Sequence, residues 1–128
     1  MAAGGQAVLI SAADSRGGTP VLTIHVYNRG REPIYLQTVG LQARGGRAIP
    51  IQRAEMRQLP TKLDPSDGFP LVADPASLVQ ALADFRSSVD RFDRVYCVDG
   101  AGRMYVRRLK PKEREAIRSA ARAATGRG

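Results

Sequence analysis

The fold class that this sequence predicts is all-β: an antiparallel two-sheet β-sandwich with one short crossover helix and a helical C-terminal tail. Three observations predict it. Short runs rich in Val, Ile, Leu and Thr alternate apolar with polar residues, the period of a half-buried strand. Gly, Pro, Asn and Asp clusters punctuate these runs roughly every ten residues. Two stretches break the rhythm with helical spacing, one opened by Asp74-Pro75 and one by Pro111.

Residues 1–19 read as an N-terminal arm followed by a first short strand, Gln6 to Ala12, with Val8 and Ile10 on one face. Asp14 to Pro20 is a loop by composition. Residues 20–110 form the sandwich domain. In it, Leu22, Ile24 and Val26 alternate with Thr23, His25 and Tyr27, then turn chemistry from Asn28 to Pro33 leads into Ile34–Leu41. The two runs are expected to pair as a central hairpin. Ile34 and Leu36 share one face while Val39 and Leu41 take the other, so a bulge near Thr38 is needed to bring all four inward, with Gly40 easing the bend.

Arg44-Gly45-Gly46-Arg47 reads as a tight turn into Ala48–Arg53, which Pro50 confines to a sheet edge. Ala54 to Gly68 is loop-like, and Phe69–Ala73 is a strand. Asp74 caps the crossover helix, Pro75 fits its first position, and Leu78, Val79, Leu82 and Phe85 make its apolar stripe. Arg91–Val98 and Arg103–Leu109 form a last hairpin around Asp99-Gly100-Ala101-Gly102. Residues 111–128 are the basic helical tail, its helix running to about Ala124 with Glu113 and Glu115 in the first turn.

The chain has 128 residues and a net charge of +8, with one Cys and no Trp. That length supports a single core. Residues 103–128 hold nine basic and two acidic residues, for +7, while residues 1–102 are nearly neutral at +1. Such a tail suits an anionic partner and does not by itself choose which. One Cys excludes an internal disulfide. No secretory signal or membrane-spanning stretch is visible, so a virion or cytoplasmic location without membrane attachment is expected.

From about Val21 to Leu109 the chain resembles the small immunoglobulin-like β-sandwich of bacterial and phage proteins. The carrying residues are Val26 to Ile34, Val39-Gly40-Leu41, Leu59-Pro60 with Leu63-Asp64-Pro65-Ser66-Asp67, and Val98 to Tyr105. Domains of this kind usually carry a Leu-x-Pro-Gly-Glu turn, and here Ser66 replaces the glycine. The resemblance implies an immunoglobulin-like fold and a binding or assembly role, including on phage capsids and tails.

The residues offer little for catalysis. Gly4-Gly5-Gln6 matches the letters of the catalytic motif of peptide-chain release factors, but it sits in a Gly-rich arm without a surrounding domain. His25 is the only histidine and falls on a polar strand face. Cys97 alternates with Val95 and reads as a small core residue. Asp64, Asp67, Asp90, Asp93 and Asp99 all lie in or beside turns, which explains them. No metal-ligand or phosphate-loop motif occurs, so no catalytic residue, metal or cofactor is expected. Arg16-Gly17-Gly18 and Arg44-Gly45-Gly46-Arg47 are isolated RGG-like turns.

The tail carries the candidate partner-binding residues: Arg107, Arg108, Arg114, Arg118, Arg122 and Ile117. Arg114, Arg118 and Arg122 line one helix face, beside a stripe of Ala116, Ile117, Ala120, Ala121 and Ala124. A helix this short is marginal alone, and ordering on a partner is expected. The leading expectation is a non-enzymatic structural or assembly protein, most specifically a phage capsid decoration protein or head or tail connector, meeting other proteins or further copies of itself. The alternative is a nucleic-acid-binding module that sets the same arginines against phosphates. An enzyme is the third class, and it would need a site that these residues do not display.

Overall fold

In the computed structural model of the chain, residues 7–16, 19–51, 59–73 and 91–125 are described. Among them run β1 (Ala7–Arg16), β2 (Thr19–Asn28), β3 (Ile34–Ala43), β4 (Ala48–Pro50), β5 (Thr61–Leu63), β6 (Gly68–Ala73), β7 (Phe92–Asp99), β8 (Met104–Arg108) and α1 (Pro111–Thr125). The strands pair antiparallel throughout. One sheet has the order β1-β2-β6. The other has the order β4-β3-β7-β8, with β5 also paired to β3. A single buried cluster joins them: Leu22, Ile24, Val26, Phe69 and Leu71 of the first sheet lie with Leu36, Val39, Leu41, Phe92, Val95 and Cys97 of the second. The protein is an all-β assembly of two antiparallel sheets around one core.

The alternation in β2 works as expected: Leu22, Ile24 and Val26 are fully buried, while Thr23, His25 and Tyr27 are half-buried. The expected central hairpin does not form. β2 pairs with β1 and β6, and β3 pairs with β4, β5 and β7 in the other sheet. Residues 29–33 therefore cross between sheets. Both strands still turn their apolar faces to one interior, which is why alternation alone could not separate a hairpin from a crossing.

The phase change in β3 is absorbed by a register irregularity between Leu36 and Thr38 against β7. That places Ile34, Leu36, Val39 and Leu41 all inside. Gly40 has a second function. A Cβ there would sit 2.0 Å from the Ile49 carbonyl oxygen, so β4 can lie this close only over a glycine. β4 is an edge strand, as Pro50 requires, and the turn before it uses positive φ at Gly45 and Gly46.

Two stretches expected as loops are strands in part. Asp14–Arg16 remain paired with Thr19–Val21, and Thr61–Leu63 pair with Ile34–Leu36. Each is held by a neighbouring strand whose ladder would otherwise end early. The arm with Gly4-Gly5-Gln6, the helix expected after Asp74-Pro75, Asp90 and the end of the run expected to Arg53 lie outside the described residues.

The C-terminal helix forms over nearly the span expected. Pro111 occupies its first turn, and Glu113 reaches back to accept the Lys110 N–H at 2.9 Å, half of a capping box. The helix has a seat on its own chain: α1 packs on β1 and β2. Ala116 and Ile117 are buried, Ile117 in the same cluster as Leu22 and Phe92. No helix among the described residues is long and apolar enough to cross a membrane.

Candidate docking surface

Two of the buried polar residues, Asn28 and Asp99, hold turns together. Asn28 is 1% exposed. Its Nδ2 donates to the carbonyls of Glu32 (2.8 Å) and Leu63 (2.9 Å), and its Oδ1 accepts the Gly30 N–H (2.9 Å). Its backbone exchanges hydrogen bonds with Asp67 and Ser66. One side chain thus fixes the crossing from β2 to β3 and ties it to the turn before β6. That turn has Pro65 followed by Ser66 at φ 72°, where a glycine would be unstrained.

Asp99 does similar work in the β7–β8 turn. Its Oδ1 accepts the N–H groups of Ala101 (3.0 Å) and Arg103 (2.9 Å), and its Oδ2 accepts the Tyr105 hydroxyl (3.2 Å). Gly102 takes φ 85°. Asp67 accepts the neighbouring Gly68 N–H, and Asp64 lies 3.6 Å from Lys62. These carboxylates shape turns. Among the described residues no group of His, Cys, Asp and Glu is arranged to hold a metal ion.

Cys97 is fully buried, and burial, with the Asp99 charge adding to it, pushes its thiol up to about 12. A thiol held protonated is a poor nucleophile. His25 sits on the opposite face of β2 from the core. Its Nδ1 is 3.2 Å from the Tyr27 hydroxyl, with the two rings edge to face at 5.6 Å. It does not meet Cys97. An open cleft of about 560 Å³ lies between residues 32–37, 60–62 and 99–103. It presents Glu32 and Asp99 with Lys62 and Arg103, and Asp99 is already committed to its turn.

The candidate tail residues separate into different environments. Arg108 is exposed on β8. Arg107 pairs in register with Val95, half-buried on the core side. Arg114 is half-buried, and Arg118 lies 3.6 Å from Glu115. Arg107, Arg114 and Arg118 all have interactions within the chain. Arg122 lies within α1. Ile117, expected on a docking stripe, is 1% exposed and is used by the chain's own core.

Residues beyond the tail complete the surface. Arg94 stands directly opposite Arg108, Tyr96 opposite Val106, and Val98 opposite Met104, all on the outer face of β7–β8. Met104 is 47% and Val106 48% exposed. Neither Arg94 nor Arg108 has an ion pair or side-chain hydrogen bond among the described residues, and the same is true of Lys110 and Lys112. The Arg44-Gly45-Gly46-Arg47 turn joins this end, since the Arg44 N–H donates to the Arg91 carbonyl at 3.0 Å. Leu109 is likewise bonded to the Asp93 carbonyl at 2.8 Å. Asp93 is the buried acid here, with Oδ2 3.9 Å from Arg44 Nε.

Three stretches far apart in sequence therefore form one cationic corner. Counting charges along the chain assigned it to the tail. Aligning the predicted hairpin across Asp99–Gly102 would have placed Arg94 against Arg108. No protein-family model, curated protein or solved structure matches the chain.

Proposed function

We propose that the chain is a non-enzymatic docking module that joins a larger protein assembly through the outer face of β7–β8 and the cationic corner beside it. One observation carries this reading: two arginines, Arg108 exposed and Arg94 half-buried, stand directly opposite each other on the outer sheet face, with no ion pair among the described residues. Like charges so placed disfavour the fold by about 0.2–1 kcal/mol. A carboxylate supplied by a partner removes that cost and gains charge-assisted hydrogen bonds. Exposed Met104 and Val106 add apolar area of the kind enriched at protein interfaces.

An immunoglobulin-like identity for the sandwich is supported by its two antiparallel sheets around one core and by the turn residues that resemble that family. The phage-virion version, as a capsid decoration or head or tail connector subunit, is supported by that resemblance alone. Nucleic-acid binding remains the alternative reading of the same arginines.

Isolation of the chain with its associates from its natural source, at low and high salt, tests the proposal. The expected result is a stoichiometric protein complex that Arg94→Glu with Arg108→Glu disrupts. Nucleic acid that dissociates as salt rises would reassign the arginines to phosphates. Point substitutions are the right probes, because removing α1 would uncover the core at Ile117.

A further inference from the structure

We infer that what docks on this face is an extended protein segment running from apolar side chains into carboxylates. This rests on the docking reading above and gives it a chemistry and a direction. The register of β7 and β8 makes a ladder of rungs: Val98 with Met104 beside the turn, Tyr96 with Val106 in the middle, and Arg94 with Arg108 beside α1. Tyr96 is only 4% exposed, so Val106 presents the middle rung. The face is apolar at one end and cationic at the other. Same-face positions along a strand repeat at roughly 7 Å, so the ladder spans about 14 Å, the length of about five extended residues.

Charge complementarity selects the occupant. A carboxylate between Arg94 and Arg108 can pair with both guanidinium groups, and a second acidic residue balances the remaining charge. Lys110 and Lys112, exposed and without ion pairs among the described residues, continue the cationic end toward α1. The acidic part of the segment therefore extends past a single residue. A nucleic-acid strand would use the arginines but leave Met104 and Val106 against a charged backbone, and the exposed ring on this side of the sheet, Tyr35 of β3, lies by the Gly100 turn, at the end away from the arginines. A second copy of the chain would bring its own charge of +8 toward the same corner.

The test is fluorescence anisotropy on the full chain with labelled probes. They are a peptide with a run of valines followed by glutamates, the same peptide with serines for valines, one with lysines for glutamates, and a single-stranded thymidine oligonucleotide. The valine–glutamate peptide is expected to bind. Met104→Ser with Val106→Ser, or Arg94→Glu with Arg108→Glu, is expected to weaken it at least about tenfold, a loss of about 1.4 kcal/mol. The charge-reversed variant is expected to take the valine–lysine peptide instead, a rescue that misfolding cannot produce. Equal binding of the serine and valine peptides, binding of the oligonucleotide alone, or no binding would each overturn the inference. If the natural complex depends on Arg94 and Arg108 while the valine–glutamate peptide does not bind, the docking function stands and this segment does not. If the complex ignores both arginines, both fall.

Discussion

Asn28 and the Arg94–Arg108 pair are the two polar features that best separate what this chain keeps for itself from what it offers. Asn28 is buried, and both its amide donor and its carbonyl oxygen are used within the chain. On the outer sheet face Arg108 is exposed and Arg94 half-buried, and neither has a side-chain partner among the described residues. A buried polar group must be satisfied internally or it destabilises the fold. An exposed charge can be left for another molecule. Asn28 and Asp99 build the sandwich, while Arg94 and Arg108 are free to meet a partner.

The sharpest way to break this contrast is Asn28→Ala. It leaves two carbonyls and one N–H at the sheet crossing without their partner, and each such loss costs about 1–3 kcal/mol. A destabilisation of about 4 kcal/mol is expected by urea denaturation. A loss under about 1 kcal/mol would mean that the crossing is held elsewhere.

Ile117→Ala tests on which side of the contrast α1 falls. As part of the core it should cost about 3 kcal/mol. A helix that merely awaited a partner would lose almost nothing in the isolated chain.

Cys97 adds a pH dependence. Its thiol rises from 9.0 to about 12 in the folded chain, so the fold binds that proton more tightly than the unfolded state does. Its contribution is complete below pH 9 and is lost as pH climbs toward 12, at up to about 1.4 kcal/mol per pH unit. Equilibrium denaturation across that range should show a shallower decline in Cys97→Ala. Burial raises Tyr96 as well, so some decline remains. Identical pH profiles would place the thiol in contact with solvent.

A smaller effect is expected at the turn before β6. Ser66→Gly removes the strain of a left-handed residue and should raise stability by about 0.5 kcal/mol after the entropy of glycine is counted. An unchanged or lower melting temperature would show that Ser66 is not strained.

Much of the fold was legible because its signals are local. Alternation placed β2, the phase slip in β3 called for the bulge near Thr38, and Pro50 marked an edge. The sheet crossing was not legible, since a buried Asn28 and an ordinary turn asparagine read alike until Leu63 and Glu32 are placed around it. The docking face was half legible. Arg108 stood out in the basic tail, whereas Arg94 lay in a nearly neutral stretch and acquires its meaning only from the strand beside it. Ile117 misled because an apolar residue on a short helix can face a partner or its own body, and only the packing of α1 on β1 and β2 decides.

The most direct measurement replaces Arg94 and Arg108 with Gln together and follows folding stability and assembly in one preparation. The account predicts that stability holds or rises by a few tenths of a kcal/mol as the like-charge contact is relieved, while the natural complex is lost. A variant that unfolds more easily yet still assembles would contradict it, and would make the arginines part of the fold.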